Sequence, residues 1–316
     1  MQQLNATEPL HRKGLWTRFA DNIRKHPILY LMALPVALWY IVFQYLPMYG
    51  LVIAFQDYVP SRGIMDSRWV GLKHFRSFFT DPYFGRVVFN TLYINILMLV
   101  FAFPFPIIFA LLLNEVKSGK LRKTTQTVTY LPHFVSAMVI CGLMLDFGKS
   151  NGMLTGLFSM LLGAERINLF SKASYFRPLY VGMNVWQEFG WDSIIYFAAL
   201  SGIDPTLYEA AMMDGASRLK RAIHITLPSI APTIIILLIL RIGNLLTLGW
   251  EKIVLLYNPM IYETADVIST YVYRRGLIMF EYSFGTAVGL FNSAINFVLL
   301  ISANAVSRKV NDTSLW

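Results

Sequence analysis

The sequence predicts an all-α, polytopic membrane protein with about six transmembrane helices. Of its 316 residues, 56% are hydrophobic and only 14% are charged, and the mean hydropathy of +0.51 exceeds what soluble domains show. Several apolar stretches reach the roughly 20 residues that a helix needs to cross a hydrocarbon core about 30 Å thick. They lie near residues 28–55, 87–113, 126–147, 178–200, 229–250 and 284–306.

These stretches form one membrane domain over residues 28–306. A polar, basic segment precedes it at residues 1–27, and a short tail follows at residues 307–316. The first apolar run is longer than the hydrophobic core of a cleaved signal peptide, so we expect it to remain as the first span. The single cysteine, Cys141, excludes an intrachain disulfide and a thiolate metal cluster.

Lysine and arginine counts predict the orientation, because basic residues resist crossing the membrane during insertion. With the N-terminus inside, basic residues concentrate in the short loops on the cytoplasmic side, whereas the loops on the other side are longer. Both termini and the loop at residues 202–228 are therefore expected in the cytoplasm. The net charge of +9 then reflects orientation, and we expect no nucleic-acid partner.

The loop at residues 202–228 contains the most distinctive segment, EAAMMDGASRLKRAIHITLP at residues 209–228. Asp204 followed by Pro205 is typical of a helix start, and Gly215 is expected to end that helix. A second helix is predicted from Ser217, with Pro228 opening the fifth span. An ordinary connector that packs on its own domain is the alternative interpretation.

Glu-Ala-Ala, three residues, Gly, nine residues and Ile-x-Leu-Pro together resemble the EAA loop of permease subunits from type I ABC importers. The resemblance implies the permease fold of those importers, with this loop as a coupling helix that docks in a cleft of an ATPase subunit. Glu209 would be the polar contact, Ala210 and Ala211 the close-packing surface, and Gly215 the turn, supported by Asp214. The remaining motif positions are Ile225, Leu227 and Pro228.

The likeness extends over nearly the whole chain. YLPMYGLVIAFQDY at 45–58 and VGLKHFRSFF at 70–79 resemble permeases of bacterial oligosaccharide importers in the carbohydrate-uptake family, within its polysaccharide-transport branch. The resemblance implies a multi-pass protein of the bacterial cell membrane that carries oligosaccharides, acidic ones included. Its partners would be a second homologous permease, two ATPase subunits and an extracytoplasmic solute-binding protein. Peptides or amino acids as substrate, an ion-coupled secondary transporter and a signalling scaffold are the alternatives.

The motifs of catalysis and of nucleotide binding are missing from the sequence. It contains no GxxxxGK[ST] phosphate loop and no HExxH, and its five histidines are scattered. We therefore expect no enzyme activity, no catalytic residue, no metal site and no cofactor on this chain. ATP and Mg²⁺ would bind to the partner ATPase.

Charged side chains inside apolar stretches predict the substrate pathway, since such groups usually face a cavity or a partner. Arg241 lies thirteen positions after Pro228, near the predicted middle of the fifth span, and Asn244 follows on the same face. Both are candidates for sugar contact, the guanidinium by gripping a carboxylate. An ion pair of Arg241 with Glu188, Asp192 or Asp146 is the alternative.

Two further features belong to this hypothesis. Glu188 and Asp192 share one helical face at i, i+4 spacing and are candidates for lining the pathway, and neighbouring Trp186 is a candidate for stacking on a sugar ring. Outside the membrane, the loop from Asn258 to Arg274 is the first candidate for docking the solute-binding protein. That assignment follows from the resemblance alone.

Overall fold

The computed structural model describes residues 22–163, 165–311 and 313–315. Residues 1–21 of the predicted N-terminal segment lie outside this range, as do residues 312 and 316 of the predicted tail. The chain forms two compact units, Met1–Val52 and Ile53–Trp316.

The first unit contains α1 (Pro27–Tyr40), which continues without a break into a π turn at Ile41–Tyr45 and a 3₁₀ segment at Leu46–Phe55. Apolar side chains project from all sides of α1, and none of its residues is buried. A helix that is apolar all round is suited to hydrocarbon and not to water. This segment matches the first predicted span.

The second unit begins with two short antiparallel strands, β1 (Gln56–Asp57) and β2 (Arg68–Trp69), paired with Gln56 opposite Trp69. Helices α2 to α7 follow at Lys73–Phe79, Phe84–Leu97, Pro104–Asn114, Gly119–Tyr130, Ala137–Phe147 and Met153–Leu162. Helices α8 to α15 lie at Ala173–Ser201, Pro205–Met213, Arg218–Arg221, Leu227–Gly243, Trp250–Leu256, Tyr262–Ala265, Ile268–Val272 and Tyr282–Asn311. The all-α prediction is confirmed.

Among the described residues, four helices are long and apolar enough to cross a membrane: Pro27–Phe55, Phe84–Asn114, Arg218–Gly243 and Tyr282–Lys309. A fifth span arises if the pair Gly119–Phe134 and Ala137–Phe147 counts as one, although the two helices are bent by 94°. The predicted span near 126–147 is therefore not one continuous helix. It is interrupted where Val135 is extended and Ser136 caps α6.

The predicted span near 178–200 lies within α8, which has 29 residues. At about 1.5 Å rise per residue this helix is long enough to cross a bilayer. It is absent from the apolar set because Arg177, Glu188 and Asp192 interrupt its hydropathy. Length alone supports a span here, and the charges indicate that part of α8 faces something other than lipid.

The predicted span near 229–250 has different boundaries in the structure. The helix starts at Arg218 and ends at Gly243, after which residues 244–249 are not helical. Pro228 does not open it, because the helix passes through Pro228 after a π turn at Ala222–Thr226. Such local adjustments let a membrane helix accommodate a proline that has no N–H to donate.

Around α8, the core packs α4, α5 and α11 closely together. Gly190 is essential to this packing, because a Cβ at this position would overlap the backbone carbonyl of Thr129 in α5. A second cluster of fully buried apolar side chains joins α8 to α3 and α6, among them Ile94, Ile140 and Phe176 of α8.

The segment after α12 is folded into the core instead of forming an open loop. Asp266 is fully buried and accepts hydrogen bonds from Arg274 at 2.8 Å and Arg86 at 3.3 Å. Asn90 of α3 donates to the backbone carbonyl of Asp266 at 2.9 Å and accepts from Arg177 of α8 at 2.6 Å. One buried polar network therefore ties α3, α8 and the 262–274 segment together.

This burial argues against the segment from Asn258 to Arg274 as a broad docking surface. Its Ile261, Val267 and Tyr271 are in the core. The exposed apolar surface lies just beyond it, at residues 277–280, where Phe280 is 71% exposed. Docking of the solute-binding protein at the segment from Asn258 to Arg274 stays a prediction.

Replacing Gly190 with alanine is expected to lower the thermal unfolding midpoint of the detergent-solubilised protein. The added methyl group must push α5 away from α8, and overpacking of this kind costs about 1–3 kcal/mol. Gly182→Ala on the same helix is the matched control, since a Cβ there meets no atom within 4 Å. Equal midpoints for the two variants, measured by tryptophan fluorescence, would contradict this account of the packing.

Candidate functional site

The loop singled out in the sequence begins with a well-capped helix. Asp204 is the N-cap of α9 and accepts the backbone N–H of Thr206 at 2.9 Å, with Pro205 in the first turn. This hydrogen bond to the ionised carboxylate holds the pKa of Asp204 below its usual range. The predicted helix start is confirmed.

The same helix ends in a Schellman motif. Gly215 has a φ of +73°, its N–H bonds to the carbonyl of Met212 at 3.1 Å, and the N–H of Ala216 bonds to Ala211 at 2.9 Å. The predicted role of Gly215 as the turn is met by backbone geometry alone. Among the described residues, the carboxylate of Asp214 accepts no hydrogen bond, so its predicted support of the turn has no contact behind it.

Glu209 and Ala210 of α9 are exposed, and Ala211 is half-buried. Met213, which the sequence analysis passed over, is 89% exposed at the end of the same helix. The exposed Met213 side chain, the alanines and the Glu209 carboxylate together form a partly apolar surface on α9. The signal for it in the sequence was the pair Met212-Met213 inside an otherwise polar island.

The remaining motif residues belong to a different element. Ile225, Leu227 and Pro228 lie in the continuous helix Arg218–Gly243, not on the exposed face of α9. The two elements are joined by a hydrogen bond between the hydroxyls of Tyr208 and Thr226 at 3.0 Å. Helix α9 is therefore in direct contact with the long helix.

The far end of that helix reaches a cavity with a volume of about 1040 Å³, called the main cavity below. Glu188, Asp192, Arg241 and Asn244 all line it, so the structure brings together four of the five residues predicted for the substrate pathway. The cavity lies between α8, the end of α11 and the segment that follows α11.

Trp186 is the exception. It lines a separate, mostly apolar cavity of about 720 Å³ with Tyr93 and Arg177. Residues 186 and 188 are two apart and therefore project from different sides of a helix, which the sequence interpretation overlooked. Trp191 lines the main cavity instead and stacks on His133 with ring centroids 4.4 Å apart and planes 2° from parallel.

Glu188 is the centre of a polar network in the cavity. Its two carboxylate oxygens contact His133 Nδ1 at 2.7 Å and Lys252 Nζ at 3.3 Å. Lys252 also donates to the Asn184 side chain at 2.9 Å. Asn184 and Glu188 are one helical turn apart, a spacing visible in the sequence, but nothing local indicated that His133 and Lys252 would join them.

Arg241 makes no ion pair within 4.0 Å with Glu188, Asp192 or Asp146 in the part of the chain that the structure describes. Glu188 is engaged by other partners, and Asp146 pairs with Lys149 at 2.6 Å. The alternative of an internal ion pair is therefore not supported. The Arg241 side chain is exposed to the cavity.

The predicted position of Arg241 along its helix needs correction. It lies in the last turn of the helix, not at its middle, because the helix ends at Gly243. Asn244 is the C-cap, and its side-chain amide donates to the carbonyl of Leu240 at 3.0 Å. The Asn244 side chain is therefore partly committed to ending the helix and has its carbonyl oxygen left for a ligand.

Across the described ranges, no group of three or more His, Cys, Asp or Glu side chains is arranged to hold a metal ion. The arrangement is suited to binding and releasing a polar solute.

Comparison with known proteins places the chain in a family. Residues 102–312 match the model of the binding-protein-dependent transport system inner membrane component. The chain is 45% identical over 307 residues to the polygalacturonan/rhamnogalacturonan transport system permease protein YteP of Bacillus subtilis (strain 168), covering 97% of this chain and 96% of that protein.

Two solved structures agree with the fold. One is a bacterial ABC transporter involved in the import of the acidic polysaccharide alginate, with 43% identity and a TM-score of 0.84 over 93% of this chain and 99% of that one. The other is a bacterial alginate ABC transporter in complex with alginate pentasaccharide-bound periplasmic protein, with 42% identity and a TM-score of 0.85 over 95% and 99% of the two chains.

The chain therefore belongs to the family of binding-protein-dependent transport inner membrane components. It is a multi-pass permease of the plasma membrane. Membership of this family confirms the resemblance read from the EAA loop, and it sets aside a secondary transporter and a signalling scaffold.

Replacing Asp204 with alanine is expected to increase hydrogen exchange of the first-turn amides of α9. The lowered pKa means that the cap is fully present above the ordinary aspartate pKa of about 3.9 and is lost as the pH falls through the lowered value. Mass spectrometry of peptides that span 204–209 measures the effect. Asp214→Ala is the control, and a similar increase in both variants would argue against the cap.

Proposed function

We propose that this chain is one permease subunit of an ATP-driven importer that translocates oligosaccharides delivered by an extracytoplasmic solute-binding protein. The observation that carries the proposal is one mechanical connection. The exposed Glu-Ala-Ala helix is hydrogen-bonded to the helix Arg218–Gly243, and that helix brings Arg241 to the main cavity. The names of its relatives, which transport polygalacturonan and import alginate, support the substrate class.

The coupling step follows from the local structure of α9. A capped N-terminus and a Schellman C-terminus make this nine-residue helix a stiff element. Glu209 offers a carboxylate to an Arg or Lys of an ATPase subunit, while Ala210 and Ala211 allow its backbone to come close. ATP and Mg²⁺ bind to that partner, and its closure pushes α9 against the long helix.

The cavity changes its access when the long helix moves. A substrate that binds one conformation better shifts the balance between the conformations, and nucleotide binding shifts it again. The full importer contains a second homologous permease and two ATPase subunits. In this arrangement both termini lie in the cytoplasm, as the distribution of basic residues favours.

Sugar recognition in the cavity combines polar and aromatic contacts. Arg241 and Asn244 supply hydrogen-bonding groups, Asp192 supplies a carboxylate, and the exposed face of Trp191 supplies a flat surface for a pyranose ring. A few fixed polar groups in a mostly apolar cavity are typical of small-molecule sites.

Glu209→Lys is expected to abolish coupling while the protein remains folded in the membrane. The reversed charge repels the cation that Glu209 would meet on the ATPase, so binding-protein-stimulated ATP hydrolysis and uptake should both fall by at least about tenfold. The assay uses the complete importer in proteoliposomes, supplied with binding protein loaded with neutral or acidic oligosaccharides.

Glu165→Lys is the matched control for this charge reversal, since Glu165 is exposed in a segment remote in sequence from the loop. It should retain normal hydrolysis. Wild-type-like activity of Glu209→Lys would remove the coupling role, and a wild-type complex that no oligosaccharide stimulates would remove the substrate class.

Trp191→Ala is expected to reduce sugar uptake, whereas Trp186→Ala should leave it close to the wild-type rate. Loss of a stacking surface costs about 1–3 kcal/mol in comparable ring contacts, which corresponds to a rate loss of roughly five- to hundredfold. The measurement is uptake of labelled oligosaccharide at saturating loaded binding protein. The opposite order of the two variants would restore the sequence-based choice of Trp186.

A further inference from the structure

Lys252 lines the main cavity at the first turn of α12, and no motif in the sequence singled it out. Its ammonium group has three hydrogens to donate. One is directed to Asn184 at 2.9 Å and another to Glu188 at 3.3 Å. The ammonium therefore retains donor capacity on the side that faces the cavity.

Glu188 does not depend on Lys252 alone. Its other oxygen contacts His133 at 2.7 Å, the shorter of its two contacts. A carboxylate left without a partner in an apolar region is very unfavourable. Because His133 remains in contact, Lys252 can turn away from Glu188 without leaving that carboxylate bare.

The charged groups around the cavity decide which ligand can replace Glu188 as the partner of Lys252. Arg241 and Lys252 are its cations, and Glu188, Asp192 and Glu251 are its carboxylates, within the residues that the structure describes. Lys252 is paired with Glu188 in this cavity. A sugar carboxylate offers Lys252 the same group that Glu188 offers, whereas a neutral sugar offers only hydroxyl and ring oxygens.

We propose that Lys252 makes the cavity selective for anionic oligosaccharides, because a uronate carboxylate of the sugar takes the place of Glu188 as the ion-pair partner of Lys252 while His133 holds Glu188. This proposal rests on the proposed function and specifies the charge of its substrate. A hydroxyl group cannot replace a carboxylate on an ammonium at equal strength, since it carries no negative charge and lacks the Coulomb attraction of an ion pair.

The position of the aromatic platform agrees with this exchange. Trp191 lines the same cavity and stacks on His133, the residue that holds Glu188. A sugar ring stacked on the free face of Trp191 therefore occupies the same cavity as the Glu188 and Lys252 pair. The stacking contact positions the sugar ring, and Lys252 forms an ion pair with its carboxylate.

The test compares two substrates of the same length, a uronate oligosaccharide and its carboxyl-reduced neutral counterpart. Uptake of each is measured with the complete importer in proteoliposomes at saturating binding protein, and the readout is the ratio of acidic to neutral uptake. Lys252→Gln should lower this ratio by about tenfold, the size expected for one lost charge-assisted contact. Lys252→Arg should retain most of the preference.

Two further variants separate selectivity from structure. Glu188→Gln should keep or raise the ratio, because Lys252 is then held less tightly and remains available to the sugar. Lys149→Gln changes an exposed lysine that pairs with Asp146 and should leave the ratio unchanged. An equal loss of both substrates in Lys252→Gln, or a ratio that falls as far in Glu188→Gln as in Lys252→Gln, would overturn the proposal by showing a purely structural pair.

The outcomes also distinguish this proposal from the one on which it rests. If the wild-type importer takes up neither sugar, the proposed function fails and the proposal fails with it. If the wild type takes up the acidic sugar and Lys252→Gln leaves the ratio unaltered, only the role of Lys252 is overturned.

Discussion

A carboxylate within a long membrane helix is the constraint around which the cavity is organised. Glu188 lies in α8 and needs partners, because an unpaired charge in such surroundings is costly. His133 at the break between α5 and α6 supplies one partner, and Lys252 of α12 supplies the other. The three elements are held around one side chain, and Glu188 and Lys252 both line the cavity.

The same constraint explains why α8 looks unlike the other long helices. Its apolar faces pack on α4 and α5, with Gly190 allowing the close approach, while its charged face lines the cavity. Nearer the start of α8, the fully buried residue Asp266 also holds the helix, because Asn90 bonds both to the Asp266 carbonyl and to Arg177 of α8. Paired charges therefore fix α8 in place at two levels.

Movement enters the molecule through the continuous helix Arg218–Gly243. It begins beside α9 and ends beside the cavity, about 39 Å away at 1.5 Å per residue over its 26 residues. The π turn before Pro228 keeps it continuous, so a push on α9 is not absorbed at a hinge. The hydroxyl contact between Tyr208 and Thr226 places the connection at the level of the loop itself.

Composition and local spacing were enough to predict the class of the protein, the helix caps at Asp204 and Ser217, the turn at Gly215 and the motif that relates the chain to its family. Each of these depends on composition or on residues within a few positions of one another, where the local chain geometry is fixed. The sequence also indicated four residues that line the cavity, Glu188, Asp192, Arg241 and Asn244, because polar groups in an apolar stretch are conspicuous.

The contacts between side chains that are distant in sequence became visible in the folded chain alone. His133 and Glu188 are 55 residues apart, and Lys252 is 64 residues beyond Glu188, so no local spacing reveals their contact. In the structure Trp191, and not Trp186, lines the main cavity, and Arg241 lies in the last turn of its helix. Both differ from the prediction because packing against neighbouring helices sets how a helix is rotated and where it ends. Ion pairs between helices form only when the helices pack together, so they cannot be predicted from the spacing of residues along the chain.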